Sequence, residues 1–331
     1  MTFHRALVTG ADGFIGRHLV RRLRTEGTAV VGLGRRPASA SLAACGVRWV
    51  RGDVRDRGAV AAAATGCEAV FHLAAKVHAL SARAQDDAAY EDVNVHGTTR
   101  VLAAAADAGV KRFVLFSSVK AMGEDGEGEC DESTLPTPRT PYGRSKLEAE
   151  RTALDTGRRL GLHVACLRLP LVYGPGQRGN LARLLWALDH HLFPPLPELG
   201  NRRSIVHVEN VVSAALLAAA SAAADQQCYL VTDARAYSTR ELVDTLRRAL
   251  GRRPPRWEIP FPALRAMARV GDVVGRFIGR RLPLDSTALA KLTRSAVYRS
   301  DKIARELGYR PGRGLDDSVV ELVRWYRKGR A

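Results

Sequence analysis

Over the first half of the chain, short apolar runs alternate with longer segments in which apolar residues recur every three or four positions. Ala6-Leu-Val-Thr reads as a buried strand and Ile15 to Glu26 as an amphipathic helix. Ala29-Val-Val-Gly-Leu, Val47-Arg-Trp-Val, Ala69-Val-Phe-His-Leu, Arg112-Phe-Val-Leu-Phe and His163-Val-Ala-Cys-Leu-Arg-Leu read as further strands. Helical patterns occupy 58–65, 88–108 and 142–160. This alternation predicts an α/β fold, a Rossmann-type doubly wound parallel sheet with helices on both faces. Sheets of this kind take ligands beyond the carboxyl ends of their strands.

After Leu171 the regularity breaks. Residues 174–204 are rich in Gly and Pro, with Gly-Pro-Gly at 174–176 and Pro-Pro-Leu-Pro at 194–197. Ile205-Val-His-Val and Gln227-Cys-Tyr-Leu-Val-Thr return as strands around a helix at 209–222, and helices follow at 238–250 and about 262–279. The predicted organisation is a dinucleotide-binding domain of 1–170 plus about 205–235. A smaller, mostly C-terminal α/β subdomain for substrate takes 171–204 and 236–331.

Composition changes this picture little, and charge changes it more. The chain has 331 residues, 46% hydrophobic and 26% charged, as a soluble globular protein does. Its longest apolar stretch, Val211 to Ala220, is well short of the roughly 20 residues that span a bilayer. The N-terminus is apolar by Ala6 and reaches a glycine motif by Gly10, which leaves no room for a signal peptide and predicts a cytoplasmic protein. Five scattered cysteines without a C-x-x-C pair read as reduced thiols, with no metal site. Against 34 acidic residues stand 51 Lys and Arg, a net charge of +17. The basic residues are mostly Arg, spread along the chain, and no nucleic-acid motif accompanies them. Solvated faces are the plain reading, and a phosphate-bearing substrate or an anionic membrane the sharper ones.

The first strand runs into Thr9-Gly10-Ala-Asp-Gly13-Phe14-Ile15-Gly16 and then a helix. Glycines at this spacing allow a tight turn, close approach to a pyrophosphate and close helix packing, with the helix N-terminus facing the phosphates. After the second strand, where NAD-preferring proteins place an acid, stands Gly34-Arg35-Arg36. Two guanidiniums there suit a 2′-phosphate, so NADP is favoured slightly over NAD.

Tyr142 and Lys146 are four apart on a predicted helix, hence on one face. An ammonium there lowers the phenol's pKa and reaches the nicotinamide ribose, while the phenol exchanges a proton with a substrate oxygen. Ser117-Ser118 closes the fifth strand at the sheet's carboxyl edge, where Ser118 can orient that oxygen.

These residues resemble the extended short-chain dehydrogenases/reductases of the NAD-dependent epimerase/dehydratase family, which includes UDP-glucose 4-epimerase. The likeness runs in order through T-G-x-x-G-F-I-G at 9–16, G-D-V at 52–54, H-L-A-A at 72–75, V-N-V-x-G-T at 93–98 and F-S-S at 116–118. It continues through P-Y-G-x-S-K at 141–146, R-L-P-L-V-Y-G-P-G at 168–176, R-R-S-I-V-H-V at 202–208 and D-K-I-A-R-E-L-G-Y-R-P at 301–311. The resemblance implies that Asp53 and Val54 contact adenine. It implies that Leu73, Ala74, Ala75 and Lys76 line the dinucleotide with Asn94 and Ser117 nearby, and that Leu169 and Pro170 border the nicotinamide. Tyr142 would be the acid/base, Lys146 its partner and Ser118 the substrate-orienting hydroxyl. Lys76, Asn180 and Arg203 would hold a nucleotide-linked substrate, and a homodimer would form through 88–108 and 142–160. At Leu171 some UDP-hexose epimerases carry a substrate-binding asparagine, which this chain lacks. His72, His78, His96 and His207 read as structural or cofactor-adjacent.

Three functions follow from this. The first is 4-epimerisation of a nucleotide-activated hexose through a transient keto sugar. A lipid-diphosphate-linked sugar is a variant of it. The second is an NADP-dependent reductase or dehydrogenase of a keto-sugar or hydroxysteroid-like alcohol, and the third a non-catalytic dinucleotide-binding interaction protein. The helix near 262–279 reads as a core-facing or lid helix, with peripheral contact to an anionic membrane as the alternative.

Overall fold

The structure, a computed structural model, describes residues 3–77, 86–123, 128–177, 179–278 and 285–328. His78 of the sequence reading lies outside the described residues. Strands β1 (Arg5–Thr9), β2 (Ala29–Gly34), β3 (Arg48–Arg51), β4 (Ala69–His72) and β5 (Arg112–Ser118) are followed by the short β6 (Glu129–Cys130). Then come β7 (His163–Leu169), β8 (Leu171–Tyr173), β9 (Ile205–His207), β10 (Gln227–Leu230) and β11 (Val297–Tyr298). Seven of them form one parallel sheet in the order β3-β2-β1-β4-β5-β7-β10. The predicted Rossmann-type doubly wound sheet is therefore present. The chain leaves β1 for β2 on one side and returns to β4 on the other, so the crevice for a ligand opens above β1 and β4.

Strands buried on both faces need apolar residues at every position, and β1 has them. Ala6 and Val8 face one core with α1 (Phe14–Thr25), while Leu7 faces the other. The helices in chain order are α2 (Ala40–Ala44), α3 (Arg57–Ala64), α4 (Asp86–Tyr90), α5 (Gly97–Asp107), α6 (Pro141–Leu160), α7 (Asn180–Asp189) and α8 (Val208–Ala220). After them come α9 (Thr239–Ala249), α10 (Phe261–Ile278), α11 (Ser286–Thr293), α12 (Asp301–Leu307) and α13 (Leu315–Lys328). Helices α1 and α8 cover one face of the sheet, and α3, α5 and α6 the other. A third core joins α7, α9 and α13, built on Leu181, Leu185, Leu188, Val243, Leu246 and Leu322.

The structure departs from the sequence reading in three places. Ile205–His207 does not enter the central sheet but pairs with β8 in a two-stranded sheet of its own, and β10 supplies the edge beside β7. The helix expected over 88–108 begins at Asp86 and widens into a π-helical turn at Glu91–His96 before α5. Helix α7 lies inside the stretch read as Gly- and Pro-rich, where Leu181, Leu185 and Leu188 carry a helical period too short to stand out.

The two glycines of β2 have a steric reason. Trp49 on β3 lies flat across that strand, and a Cβ on Gly32 or Gly34 would stand 2.7 or 2.6 Å from its ring. The indole Nε1 donates to the Arg36 carbonyl at 2.9 Å, which fixes the ring and the turn after β2 together. Gly34→Ala is therefore expected to cost about 1–3 kcal/mol of stability by overpacking. In a Trp49→Ala background the cost should fall to a few tenths of that, read as a denaturant double-mutant cycle. Equal costs in both backgrounds would show that the ring is not what keeps position 34 bare.

Candidate active site

The loop after β1 is shaped for close backbone approach. Gly10 has φ +68°, and a Cβ there would meet the Ala74 amide nitrogen at 2.9 Å. A Cβ on Gly16 would meet the Gly10 carbonyl oxygen at 2.4 Å, so α1 packs directly on the turn. Gly13 caps α1 without a side chain, and the first turn has no acid. The amides at that helix end, with Phe14 and Ile15 half-buried beside them, fit the phosphates of a dinucleotide. On the far side, Gly174-Pro-Gly176 folds against this turn. His18 on α1 hydrogen-bonds the Pro175 carbonyl at 2.9 Å through Nε2 and Glu209 on α8 at 2.6 Å through Nδ1.

A buried chain of hydrogen bonds joins the glycine turn to the helix carrying Tyr142. The Ala74 amide donates to Thr9 Oγ1 at 3.1 Å, and Thr9 meets His72 Nδ1 at 2.7 Å. His72 Nε2 meets Thr98 Oγ1 at 3.1 Å, and Thr98 donates to the Asn94 carbonyl at 2.6 Å. Since Thr98 spends its proton on Asn94, the network assigns the ring hydrogen to Nε2. Burial, with Lys146 a lesser influence, pushes the His72 pKa down to about 3 and keeps the ring neutral. Asn94, in the π-helical turn, clamps Lys76 by accepting from its amide at 2.8 Å and donating to its carbonyl at 3.1 Å. Its Nδ2 also donates to Ser145 at 2.9 Å, and Ser145 donates to the Tyr142 carbonyl at 2.9 Å.

Tyr142 opens α6, whose N-terminus is set by the Thr140 cap and Pro141. Its phenol hydrogen-bonds Ser118, whose Oγ also accepts the Lys120 amide at 3.2 Å. That serine thus caps the turn after β5 and aligns the phenol at once. Burial raises the Tyr142 pKa, the Ser118 hydrogen bond opposes it, and Tyr90 adds to the rise from a ring centroid 5.9 Å away. The Lys76 ammonium sits 5.0 Å from the Tyr90 ring centroid on the crevice side.

One turn along α6, Lys146 is buried and its Nζ donates to the Phe116 carbonyl at 2.7 Å. Burial lowers its pKa to about 8, against the pull of Glu150. Glu150 is itself buried, accepts from Ser117 at 2.5 Å and holds Arg168 of β7 through three N–H···O contacts of 2.8–3.2 Å. Ser117 therefore faces α6 rather than the crevice. The i, i+4 spacing of Lys146 and Glu150 was the only signal of this group in the sequence.

The other sequence-predicted positions are distributed as follows. Arg35 and Arg36 are exposed at the end of β2. Asp53 is bound at both oxygens by Arg55, at 2.9 and 3.0 Å, which holds its carboxyl below the usual range. Val54 packs under Gly97, Leu73 to Lys76 are half-buried along the crevice, Leu169 is buried and Pro170 half-buried at the end of β7. Asn180 starts α7, and its side chain lies outside the described residues. Arg203 is anchored on the last carbonyls of α11, those of Lys291 and Arg294. His96 is exposed, and His207 is buried with Nδ1 accepting the Glu209 amide at 3.3 Å. Among the described residues no cluster of three His, Cys, Asp or Glu forms a metal site.

The sequence profile of the NAD dependent epimerase/dehydratase family matches residues 6–231. The chain belongs to that family. It is 31% identical over 321 residues to the UDP-glucose 4-epimerase of Vibrio cholerae, covering 96% of this chain and 94% of that one. It is 32% identical over 328 residues to a 4-hydroxy-2-methyl-3-oxo-4-farnesyl-3,4-dihydroquinoline-1-oxide ketoreductase of Stigmatella aurantiaca, covering 97% and 96%. Among solved structures, the dTDP-glucose 4,6-dehydratase DesIV of Streptomyces venezuelae, determined with NAD bound, superposes with a TM-score of 0.78 at 29% identity, covering 98% of each chain. The extended short-chain dehydrogenase/reductase assignment, the Rossmann fold and an oxidoreductase-type enzyme are thereby established.

The buried ammonium gives a pH signature. Above about pH 8 folded Lys146 releases its proton, whereas the unfolded side chain keeps it to about its ordinary value of 10.5. The unfolded state then binds more protons, so this group adds stability as pH rises between those values. The unfolding free energy of the wild type minus that of Lys146→Met should rise with pH across that range. A pH-independent difference would place the lysine's folded pKa at its ordinary value.

Proposed function

We propose that the protein epimerises a nucleotide-activated hexose at C4, using NAD(P) held in the crevice above β1 and β4. The carrying observation is the hydrogen-bonded Ser118–Tyr142 pair at the end of β5, tied through Asn94 and Ser145 to the glycine turn. The nicotinamide, when bound, supplies a reversible hydride acceptor. Gly10, Gly13, Phe14, Ile15 and Gly16 bind its phosphates, Asp53 and Val54 the adenine, and Leu73 to Lys76, Leu169 and Pro170 the remainder. Tyr142 Oη takes the proton of the C4 hydroxyl as the sugar is oxidised and returns it on reduction, and Ser118 orients that oxygen. Lys146 keeps a positive charge behind the phenol. Asn180 and Arg203 take the nucleotide diphosphate, and the protein acts as a homodimer through α5 and α6.

Net epimerisation requires that the hydride removed be returned from the same cofactor, which favours a cofactor held tightly between turnovers. The His18 clasp that fastens the 174–176 loop over the glycine turn supports such retention. The likeness to UDP-glucose 4-epimerase points the same way. A second reading is an NADP-dependent ketoreductase. Arg35 and Arg36 favour it, standing exposed where a 2′-phosphate would lie, as does the likeness to the quinoline-oxide ketoreductase.

Purified protein incubated with UDP-glucose and with UDP-N-acetylglucosamine, followed by proton NMR and nicotinamide absorbance together, separates the two. Formation of the galacto-epimer without net change in absorbance is expected. Stoichiometric cofactor turnover supports the reductase instead, and silence in both channels sinks the nucleotide-hexose reading and directs the assay to lipid-diphosphate-linked sugars. Tyr142→Phe should lower kcat by about 10²–10⁴-fold with its melting midpoint near wild type.

A further inference from the structure

Helix α10 turns the wrong face to the protein. At about 100° per residue it divides into three faces. Leu264, Ala268 and Gly271 are buried against Leu196 and Leu289. Met267, Val270, Val273, Val274, Phe277 and Ile278 fall on a second, contiguous face that is open to solvent, with Phe277 89% and Val270 62% exposed. Arg265, Arg269 and Arg276 share the third, along one border of the apolar one, and all are exposed. The single acid, Asp272, is held by Ser286 through its amide at 3.0 Å and its hydroxyl at 2.5 Å. Just upstream, Trp257 is 64% exposed beside the exposed Arg252, Arg253 and Arg256. The expectation of a core-facing helix is therefore met by only three of its residues.

We infer that α10 and the Trp257 segment form a docking surface for an anionic lipid bilayer, on which the helix lies parallel to the plane. A broad apolar face beside arginines, with an aromatic residue at its end, is the chemistry of an interfacial helix. Arginine head groups reach lipid phosphates while their stems cover apolar surface. The chain's charge of +17 adds long-range attraction to such a surface. Charge also speaks against a second copy as the occupant, because a twofold contact through this face would bring the same arginines together. No described helix is long and apolar enough to cross a membrane, so the contact is peripheral. The inference rests on α10 and the Trp257 segment and is independent of the reaction proposed above.

Flotation of the full chain with vesicles tests it, using phosphatidylcholine alone and phosphatidylcholine with roughly a third phosphatidylglycerol. The protein should float with the anionic vesicles and not with the neutral ones, and lose binding as salt rises. Val270→Asp/Phe277→Asp should reduce the floating fraction about tenfold or more. Arg265→Gln/Arg269→Gln/Arg276→Gln should weaken binding by about fivefold per arginine. All five positions are exposed, so the variants should melt like the wild type. Failure to float, or flotation untouched by either set of changes, overturns the inference. So does an oligomer that Val270→Asp/Phe277→Asp dissociates in light scattering without any vesicle binding, which would give the face to a second copy.

Discussion

The site depends on one buried neutral imidazole. His72 closes β4, and its two nitrogens connect Thr9 at the end of β1 to Thr98 at the start of α5. A protonated ring would also donate from Nδ1, where Thr9 now gives its own hydrogen. Burial removes that state at any physiological pH. The direction of the chain then propagates. Thr98 satisfies the carbonyl of Asn94, which the π-helical turn leaves out of ordinary α geometry, and Asn94 is free of backbone duty to clamp Lys76 and Ser145. Tyr142 is thus positioned from the same hydrogen-bonded unit that closes the glycine turn. The residues read as cofactor-binding and those read as acid/base thus belong to one hydrogen-bonded unit.

Much of this was legible in the sequence because it is local. The strand before Gly10 and the helix after it, Tyr142 and Lys146 four apart, and Ser118 at a strand end all follow from spacing within a few residues. What was not legible is non-local. His72 could be read as structural or cofactor-adjacent, but its partners are 63 and 26 residues away. Glu150 is paired with Arg168, which β7 brings against it from 18 residues along the chain. The strand at 205–207 had the right pattern for a central strand, yet the sheet edge beside β7 went to β10.

Position 34 shows how a cofactor-choice residue can be set by packing as well as by ligand. Its missing acid reads from sequence as a preference for NADP. The structure supplies a second cause, the Trp49 ring, which leaves no room for a Cβ on that face of β2. The bare position is therefore not by itself a statement about the 2′-phosphate. Arg35 and Arg36 stand exposed beyond the ring, and the similar DesIV structure was determined with NAD bound.

Beneath the phenol, charge does not balance. Glu150 is shared by Arg168 and, at longer range, by Lys146, so one carboxylate faces two cations inside the protein. Burying that surplus is costly, and the lowered pKa of Lys146 records the cost. Tyr142 meanwhile rests protonated, since burial outweighs the Ser118 hydrogen bond. On the function proposed above, the resting phenol holds the proton it would give to a substrate oxygen. Running the proposed step in the other direction requires negative charge on the phenol, which the Ser118 hydrogen bond favours. A reaction that passes through a ketone and back needs both directions from one residue. In the proposed reaction, burial that holds the proton and a serine hydrogen bond that helps release it would serve that need.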